Sequence, residues 1–527
     1  MGVPVTPEAL ASSLQVACRR WPDRPALTFA GTTTTFEELG CGVARLAGSY
    51  RRLGIGPGDR VVCQLPNSLE HVTAINAAWA VGAVHVGTDN DLTAPELAWL
   101  VERTEAAAVL FRPHPEAADP LAAVEAVRAA CPKAHVVLHG PVEDPTSHRL
   151  DDLLAGPDEL DDWSPPHAPD ETGHLLLTSG TTGRPKAVME TLPACWAKMQ
   201  FFADAFRPGV DDVHLLYLPV AHVFGLRLAM MALLSGGRLV LMERFSPKGA
   251  LRLVSEEKVT VLPGMPAHFT LLFDALDPSA HRVDSLRWAI SAASTLPRPL
   301  VEAIYDRLGV DLLYVYGCSE NFTVITTDPD EIRQGSVGRH VFTGPAGEPP
   351  NGTVAVLRPG AAEVLPAGTV GEIAFGADRP VRYWKDPDAA TDGWYRTGDL
   401  GRVDPDGAVY ILGRLKELIN RGGLHVSPSE VETAVRLHPG VGDSAVVAVP
   451  DPVVGEAICA CVVAGADPPD LGALRDFLAP VLARHKLPDE LALVDAIPRT
   501  KIGKVDRPVL RAAVLAGGYV RERWRPR

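Results

Sequence analysis

The stretch Leu175-Leu-Leu-Thr-Ser-Gly-Thr-Thr-Gly-Arg-Pro-Lys-Ala-Val188 sets an apolar strand directly before a loop made almost only of glycines, hydroxyls and cations. Gly180 and Gly183 let consecutive N–H groups turn toward one point. Thr178, Ser179, Thr181 and Thr182 add hydroxyl donors, and Arg184 and Lys186 add positive charge. Such a loop suits phosphate. A Walker loop is excluded, because Pro185 stands where that pattern needs glycine and Lys186 precedes Ala187 rather than Ser or Thr. Mononucleotide binding by a different fold is the better reading, with a Gly/Thr-rich surface turn as the plain alternative.

At 527 residues the chain exceeds one ordinary core, so two or more domains are expected. A formal charge of −15 argues against a nucleic-acid surface, which needs a broad basic face. The basic end Arg521-Glu-Arg-Trp-Arg-Pro-Arg527 reads as a frayed, solvated terminus. Eight cysteines without a CxxC pair form neither a disulfide framework nor a zinc site, which fits a reducing cytoplasm. Cys459 and Cys461 would share one buried strand face. The longest apolar stretch, from Leu228 to Met242, is broken by Ser235-Gly-Gly-Arg238, so no membrane span is expected.

Helical and strand signals alternate from Pro7 to about Thr327, with an amphipathic run to Arg20, a buried strand from Arg60 to Leu65 and a helix from His71 to Val81. That pattern is parallel α/β layering. A Pro/Asp-rich link, Pro157 to Thr172, separates two halves of it. From Gly335 to Tyr410 short strands with Gly/Pro turns predict a small β-barrel-like unit. About 110 residues past Gly413 suffice for a small independent α+β domain. Gly440-Val-Gly-Asp-Ser-Ala445 fits GxGxxA but follows a helix and opens the strand Ala445 to Val449, so it is expected to be a turn.

Five motifs along the chain resemble, in order, those of the adenylate-forming family, which includes acyl-CoA synthetases, peptide-synthetase adenylation domains and firefly-type luciferases. They are the loop above, Tyr316-Gly-Cys-Ser-Glu320, Tyr395-Arg-Thr-Gly-Asp-Leu-Gly401, Gly413-Arg-Leu-Lys-Glu-Leu-Ile419 and Pro498-Arg-Thr-Lys-Ile-Gly-Lys-Val-Asp-Arg507. The N-terminal region departs from relatives at Val84-His-Val-Gly-Thr-Asp-Asn-Asp91, where they carry prolines. The resemblance implies a large adenylation domain over residues 1–413, a hinge at 414–417 around Lys416, and a small mobile C-terminal domain over 418–527.

It also implies roles. Lys504 would bridge the substrate carboxylate and the α-phosphate, with Lys501 as runner-up. Glu320 would hold Mg²⁺, with Thr182 of the phosphate loop. Asp399 would accept the ribose hydroxyls, with Arg414 at ribose or phosphate. Ser294, Tyr316, Gly317 and Ser319 would border the adenine. Gly422, Gly423 and His425 would line the channel for a pantetheine thiol. His222 would gate an acyl slot formed by Val223, Phe224, Arg227, Gly264, Met265, Cys318, Asn321 and Phe322. Amino-acid-activating relatives carry an aspartate near the gate, and none lies between Tyr217 and Leu234. The expectation is an acid–thiol ligase using ATP, Mg²⁺ and CoA on an aryl or medium-chain acid without an α-amino group. Arg227, turned inward, would instead favour an acidic or hydroxylated acid. Loading of a carrier-protein pantetheine, amide synthesis from the acyl-AMP, and non-catalytic nucleotide binding are the alternatives.

Overall fold

The computed structural model describes residues 10–114, 119–157, 163, 171–178, 186–320, 323–342, 354–376, 381–386, 394–500 and 504–524. Two large sheets face each other across buried helices. The first has seven strands among the described residues, in the order His148–Arg149, His135–Leu138, Ala108–Phe111, Arg60–Gln64, Val84–Gly87, Thr172–Thr178 and Lys186–Thr191. All its pairings are parallel except the last. The second has nine strands, with a parallel centre running Asp311–Gly317, Trp288–Ala292, Val261–Gly264, Val213–Leu216, Arg238–Leu241 and Pro25–Phe29. Strands buried on both faces carry continuous Val, Ile and Leu runs, which is why Leu215, Ile290 and Leu313 lose essentially all solvent contact.

Helices Leu69–Ala80 and Val223–Leu234 are buried almost all round, and their sequences are correspondingly apolar on every side. Helix Phe36–Arg52 is instead amphipathic and starts at a capping box, in which Thr35 and Glu38 satisfy each other's backbone N–H. One contiguous core runs from Leu14 to Val409 and joins both sheets. Asn67 stitches them: its amide donates to the carbonyls of Leu218 and Met242 and accepts from the Val220 N–H at 2.9 Å.

The small β unit is a five-stranded antiparallel sheet, ordered Ser336–Gly338, Val409–Arg414, Trp394–Val403, Gly371–Gly376 and Val354–Leu357. After it, a separate six-stranded sheet spans Ile419–Arg421 to Arg521–Arg523. Its long strands Val441–Asp451 and Gly455–Ala464 alternate strictly, placing Val446, Ile458, Ala460 and Val462 in one cluster and Val447, Val449, Cys459 and Cys461 in another. Helices Pro428–Val435 and Leu471–Leu478 cover the first face, and Arg507–Leu515 the second.

Two expectations are corrected here. The basic end is no frayed terminus: Arg521–Arg523 pairs antiparallel with Glu490–Val494, Arg521 binds Glu490 at 2.9 Å, and Arg475 stacks on Trp524. The supposed turn at Gly440 to Ala445 already belongs largely to a strand, which begins at Val441 with a bulge before Asp443. None of the eight cysteines forms a disulfide. Among the described residues no helix is long and apolar enough to cross a membrane.

Candidate active site

Four adjacent parallel strands of the nine-stranded sheet end at Leu216, Gly264, Ala292 and Gly317. The segments expected to bind nucleotide and acid follow those ends, on the edge where open parallel sheets hold ligands. Two buried hydroxyls there, of Tyr217 and Ser291, have no hydrogen-bond partner among the described residues. Ser294 lies exposed on the loop after Ala292. Ala293 holds φ +74°, a conformation an L-residue adopts at a cost, and the Tyr314 hydroxyl pins the loop by accepting the Leu296 N–H at 3.1 Å.

The best-formed region of the site centres on Asp399, which is 5% exposed. Strand Trp394–Val403 pairs with Val409–Arg414 so that Asp399 lies directly across from Arg414, whose Nε sits 2.7 Å from the carboxylate. The Tyr316 hydroxyl donates to the other oxygen at 2.6 Å. Burial raises the Asp399 carboxyl above its ordinary value, against the pull of Arg414, Tyr316 and Lys504. Burial likewise lowers the Lys504 ammonium, helped by the Arg414 charge, while Asp399 and Glu417 oppose that shift. Thus Tyr316, Asp399 and Arg414, each from a different motif, meet in one cluster, and Lys504 from a fourth lies near enough to feel the charges of Asp399 and Arg414. The Thr500 N–H donates to the Lys504 carbonyl at 2.7 Å, and the Arg499 backbone bridges to that of Val505.

A second group forms around Tyr383, which sequence reasoning missed. Its hydroxyl donates to Glu320 at 3.2 Å, and the Lys186 ammonium lies 5.0 Å from its ring centroid. Backbone pairing of Val188 with Tyr383 fixes this geometry. The aromatics Tyr383, Trp384 and Tyr395 amid Gly, Asp and Pro were the available signal. Thr178 and Lys186 face each other across the antiparallel ladder; Ser179, Gly180, Thr181, Thr182 and Gly183 between them lie outside the described residues. So do Lys501, Asn321 and Phe322, while Gly317 ends strand Asp311–Gly317 and Cys318 and Ser319 follow it.

His222, expected to be the gate, is the N-cap residue of helix Val223–Leu234, and its Nε2 lies 2.9 Å from Asp89 Oδ1, both side chains being about one third exposed. Asp89 comes from the segment whose departure from relatives carried no functional reading. Gly87 explains the approach: a Cβ there would lie 2.7 Å from the Ala221 carbonyl oxygen, so only glycine lets the two backbones meet. Val223 and Phe224, which open the helix, are half-buried, and Gly264, at the end of strand Val261–Gly264, and Met265 after it are buried. Arg227 is turned fully inward and pairs with Glu190 at 2.9 Å. Lys416 sits in the 3₁₀ turn Leu415–Glu417, and Arg507 bridges Glu417 to the buried Glu432. Gly422 and Gly423 form the turn of the hairpin Ile419–Arg421 to Leu424–Val426, which carries the exposed His425 on the C-terminal sheet.

The buried Asp399 with Tyr316 and Arg414, and the Glu320–Tyr383–Lys186 group, lie beyond the ends of the parallel strands. The family model described as "AMP-binding enzyme" matches residues 14–379, and "AMP-binding enzyme C-terminal domain" matches residues 430–504. The chain belongs to this family, the adenylate-forming enzymes. It is 33% identical over 514 residues to sulfoacetate–CoA ligase of Cupriavidus necator, covering 95% of this chain and 97% of that one. It is 32% identical over 534 residues to 2-hydroxy-7-methoxy-5-methyl-1-naphthoate–CoA ligase of Streptomyces carzinostaticus, covering 96% and 93%. The solved structure of the amide bond synthetase McbA from Marinactinospora thermotolerans superposes with a TM-score of 0.84 at 27% identity, covering 97% of this chain and all of that one.

Proposed function

We propose that the protein is an ATP-dependent carboxylic acid–CoA ligase. It joins R–COO⁻ to ATP as acyl-AMP with release of pyrophosphate, and a thiol then displaces AMP to leave a thioester. The observation that carries this reading is the convergence of Lys504 from the C-terminal region on Asp399, Arg414 and Tyr316 of the large one. Two anions, the acid and the α-phosphate, must meet for adenylation, and a lysine on a flexible stem supplies the charge between them. Asp399 takes the ribose hydroxyls, Lys186 the outer phosphates, and Tyr316 with Ser294 and Ser319 borders the base.

The residues present fit a magnesium ion. Glu320 offers a hard carboxylate oxygen beside Lys186, steadied by Tyr383, and Mg²⁺ prefers one or two carboxylates completed by phosphate oxygens and water. Bound there with Thr182, it would neutralise charge on the departing pyrophosphate. His222, held by Asp89, closes the entrance of the acyl slot, and CoA reaches the adenylate past Gly422, Gly423 and His425 when the C-terminal domain rotates about Lys416. In this reading the adenylation domain covers residues 1–413 and the C-terminal domain residues 418–527. The acid is aryl or medium-chain and lacks an α-amino group, as no aspartate or glutamate lies between Tyr217 and Leu234 to pair with an ammonium. The unpaired cysteines fit a reducing cytoplasm.

The likeness to an amide synthetase favours one second reading, transfer of the acyl group to an amine. Incubation with ATP, Mg²⁺ and pooled acids, followed by CoA, a carrier-protein pantetheine or amines, separates these. Pyrophosphate release and CoA consumption are expected; consumption of carrier or amine with CoA untouched overturns the thioester assignment to CoA.

A further inference from the structure

Glu320 and Lys186, the groups assigned above to the metal and to the outer phosphates, come from different sheets. Glu320 follows strand Asp311–Gly317 of the nine-stranded sheet, and Lys186 opens strand Lys186–Thr191 of the seven-stranded one. One side chain touches both. The Tyr383 hydroxyl donates to Glu320 at 3.2 Å, and the face of the same ring lies 5.0 Å from the Lys186 ammonium. A carboxylate beside that lysine would cancel its charge, whereas an aromatic face holds an ammonium and leaves the charge for an anion. The single Tyr383 proton goes to Glu320, so the neighbouring Tyr395 hydroxyl donates to the Tyr383 oxygen. Hydrogen bonds chained in this way polarise one another and stiffen the group they join.

The backbone that carries the ring is held on two sides. Residues 381–386 lie antiparallel along strand Lys186–Thr191, where the Met189 N–H donates to the Arg382 carbonyl at 2.9 Å and the Trp384 N–H to the Ala187 carbonyl at 2.8 Å. At the C-terminal end of helix Ala94–Thr104, the Trp384 indole N–H donates to the Arg103 carbonyl at 3.0 Å. The Arg103 guanidinium donates to the Lys385 carbonyl at 2.9 Å and pairs with Asp386 at 3.1 Å. Lys385 adds a pair with Glu105 at 2.6 Å, and Arg60 stacks on Trp384. Packing alone asks only for an aromatic ring here, since Tyr383 is 6% exposed and a buried hydroxyl is unfavourable unless bonded. The hydroxyl is accounted for by what it does to Glu320.

Resting on the ligase reading above, we propose that Tyr383 is a positioning residue for adenylation: its hydroxyl orients the carboxylate that takes magnesium, and its ring face holds the ammonium that takes the outer phosphates. Residues 381–386 fix the two groups relative to each other across the two sheets. Tyr383 acts through Glu320 and Lys186.

The test separates the two contacts in the full-length protein. Mn²⁺ affinity is read by electron paramagnetic resonance with α,β-methylene-ATP present, an analogue that cannot be cleaved at the reacting bond. Affinity for the same analogue without metal is read by calorimetry in EDTA. Tyr383→Phe keeps the ring and loses the donor, so Mn²⁺ should bind about tenfold more weakly, as for one hydrogen bond to a charged group, with metal-free affinity unchanged. Pyrophosphate release by this variant should recover at high Mg²⁺. Tyr383→Leu loses both contacts, so metal-free affinity should also fall, by about threefold, as for one cation–π contact. If the leucine variant does not fold, the near-isosteric phenylalanine variant decides alone. Should Tyr383→Phe melt lower yet bind Mn²⁺ like the wild type, Tyr383 is structural and the proposal is overturned. Equal losses with and without metal in Tyr383→Phe overturn it too, because the hydroxyl would then not act through Glu320. Both outcomes leave the ligase reading intact. A wild type that binds neither Mn²⁺ nor the analogue, and releases no pyrophosphate with any acid, overturns the ligase reading and this proposal with it.

Discussion

In the proposed reaction Lys504 carries the chemistry, since its ammonium, in the C-terminal region, feels the charges of Asp399 and Arg414. Replacing Lys504 by Ala is expected to slow adenylation about a hundredfold, or ~3 kcal/mol, comparable to deleting one oxyanion donor. Capture of supplied acyl-AMP by CoA should stay nearly unchanged, because that half-reaction uses another orientation; separate assays of the two steps check this. Asp89 offers a second test. Its hydrogen bond to His222 orients the ring proposed as the gate, so Asp89→Ala should raise KM for the acid several-fold, while the melting temperature moves little because a partly exposed pair contributes about 0–1 kcal/mol. Steady-state kinetics beside a thermal melt decides, and a fall in stability without a change in KM would make the pair structural. Lys504, Glu320 and Asp399 were legible as candidates because charged residues in Gly/Thr-rich motifs have few packing reasons to be there. Asp89 and Tyr383 were not, because each acquires its partner, His222 or Glu320, only through folding.

Among the elements, the turn Leu415–Glu417 joins two independent cores: the large one ends at Val409, and those of the C-terminal region start at Ile419. Gly413, just before it, combines φ +151° with a Ser427 hydroxyl that would clash with any Cβ, so the C-terminal region packs directly on glycine backbone. Rotation between the two half-reactions needs a residue free to change φ, and proline removes that freedom. Lys416→Pro is therefore expected to slow thioester formation at least tenfold and spare adenylation, the reverse of Lys504→Ala. If both variants slow both steps equally, alternation about Lys416 does not operate. Element prediction worked for the strands and helices buried on both sides, whose apolar runs leave no second choice. It failed at Arg521–Arg523, because a strand so polar is stabilised by Glu490 and Asp451, and pairing with distant carboxylates leaves no local pattern.

At the scale of the whole molecule, stability depends on pH because several histidines are buried in neutral form. His71 and His174 are fully buried and His268 largely so, and burial lowers each from 6.5 to about 4. Because the folded value lies below the unfolded one, the unfolded chain binds the extra protons. The stabilisation is present above pH 6.5 and lost as pH falls toward 4. A shift from 6.5 to 4 corresponds to on the order of 3 kcal/mol for each ring, so the three together rival a typical net stability of about 5–15 kcal/mol. The melting temperature is expected to drop steeply between pH 6.5 and 4, with unfolding before the lower limit; a flat thermal profile across that range would show that these rings are protonated in the folded state.

The sequence by itself determined the family, the α/β layering and the class of chemistry, because periodicity and motif spacing are local and survive in one dimension. Tertiary structure alone decided which charges meet. Arg227, Glu190 and Lys198 lie on one helix, one strand and another helix, and nothing local distinguishes them from surface charges. Only the closing of two sheets over a shared core removes them from water. Their pairing, two cations on one buried carboxylate, exists only once the chain is folded.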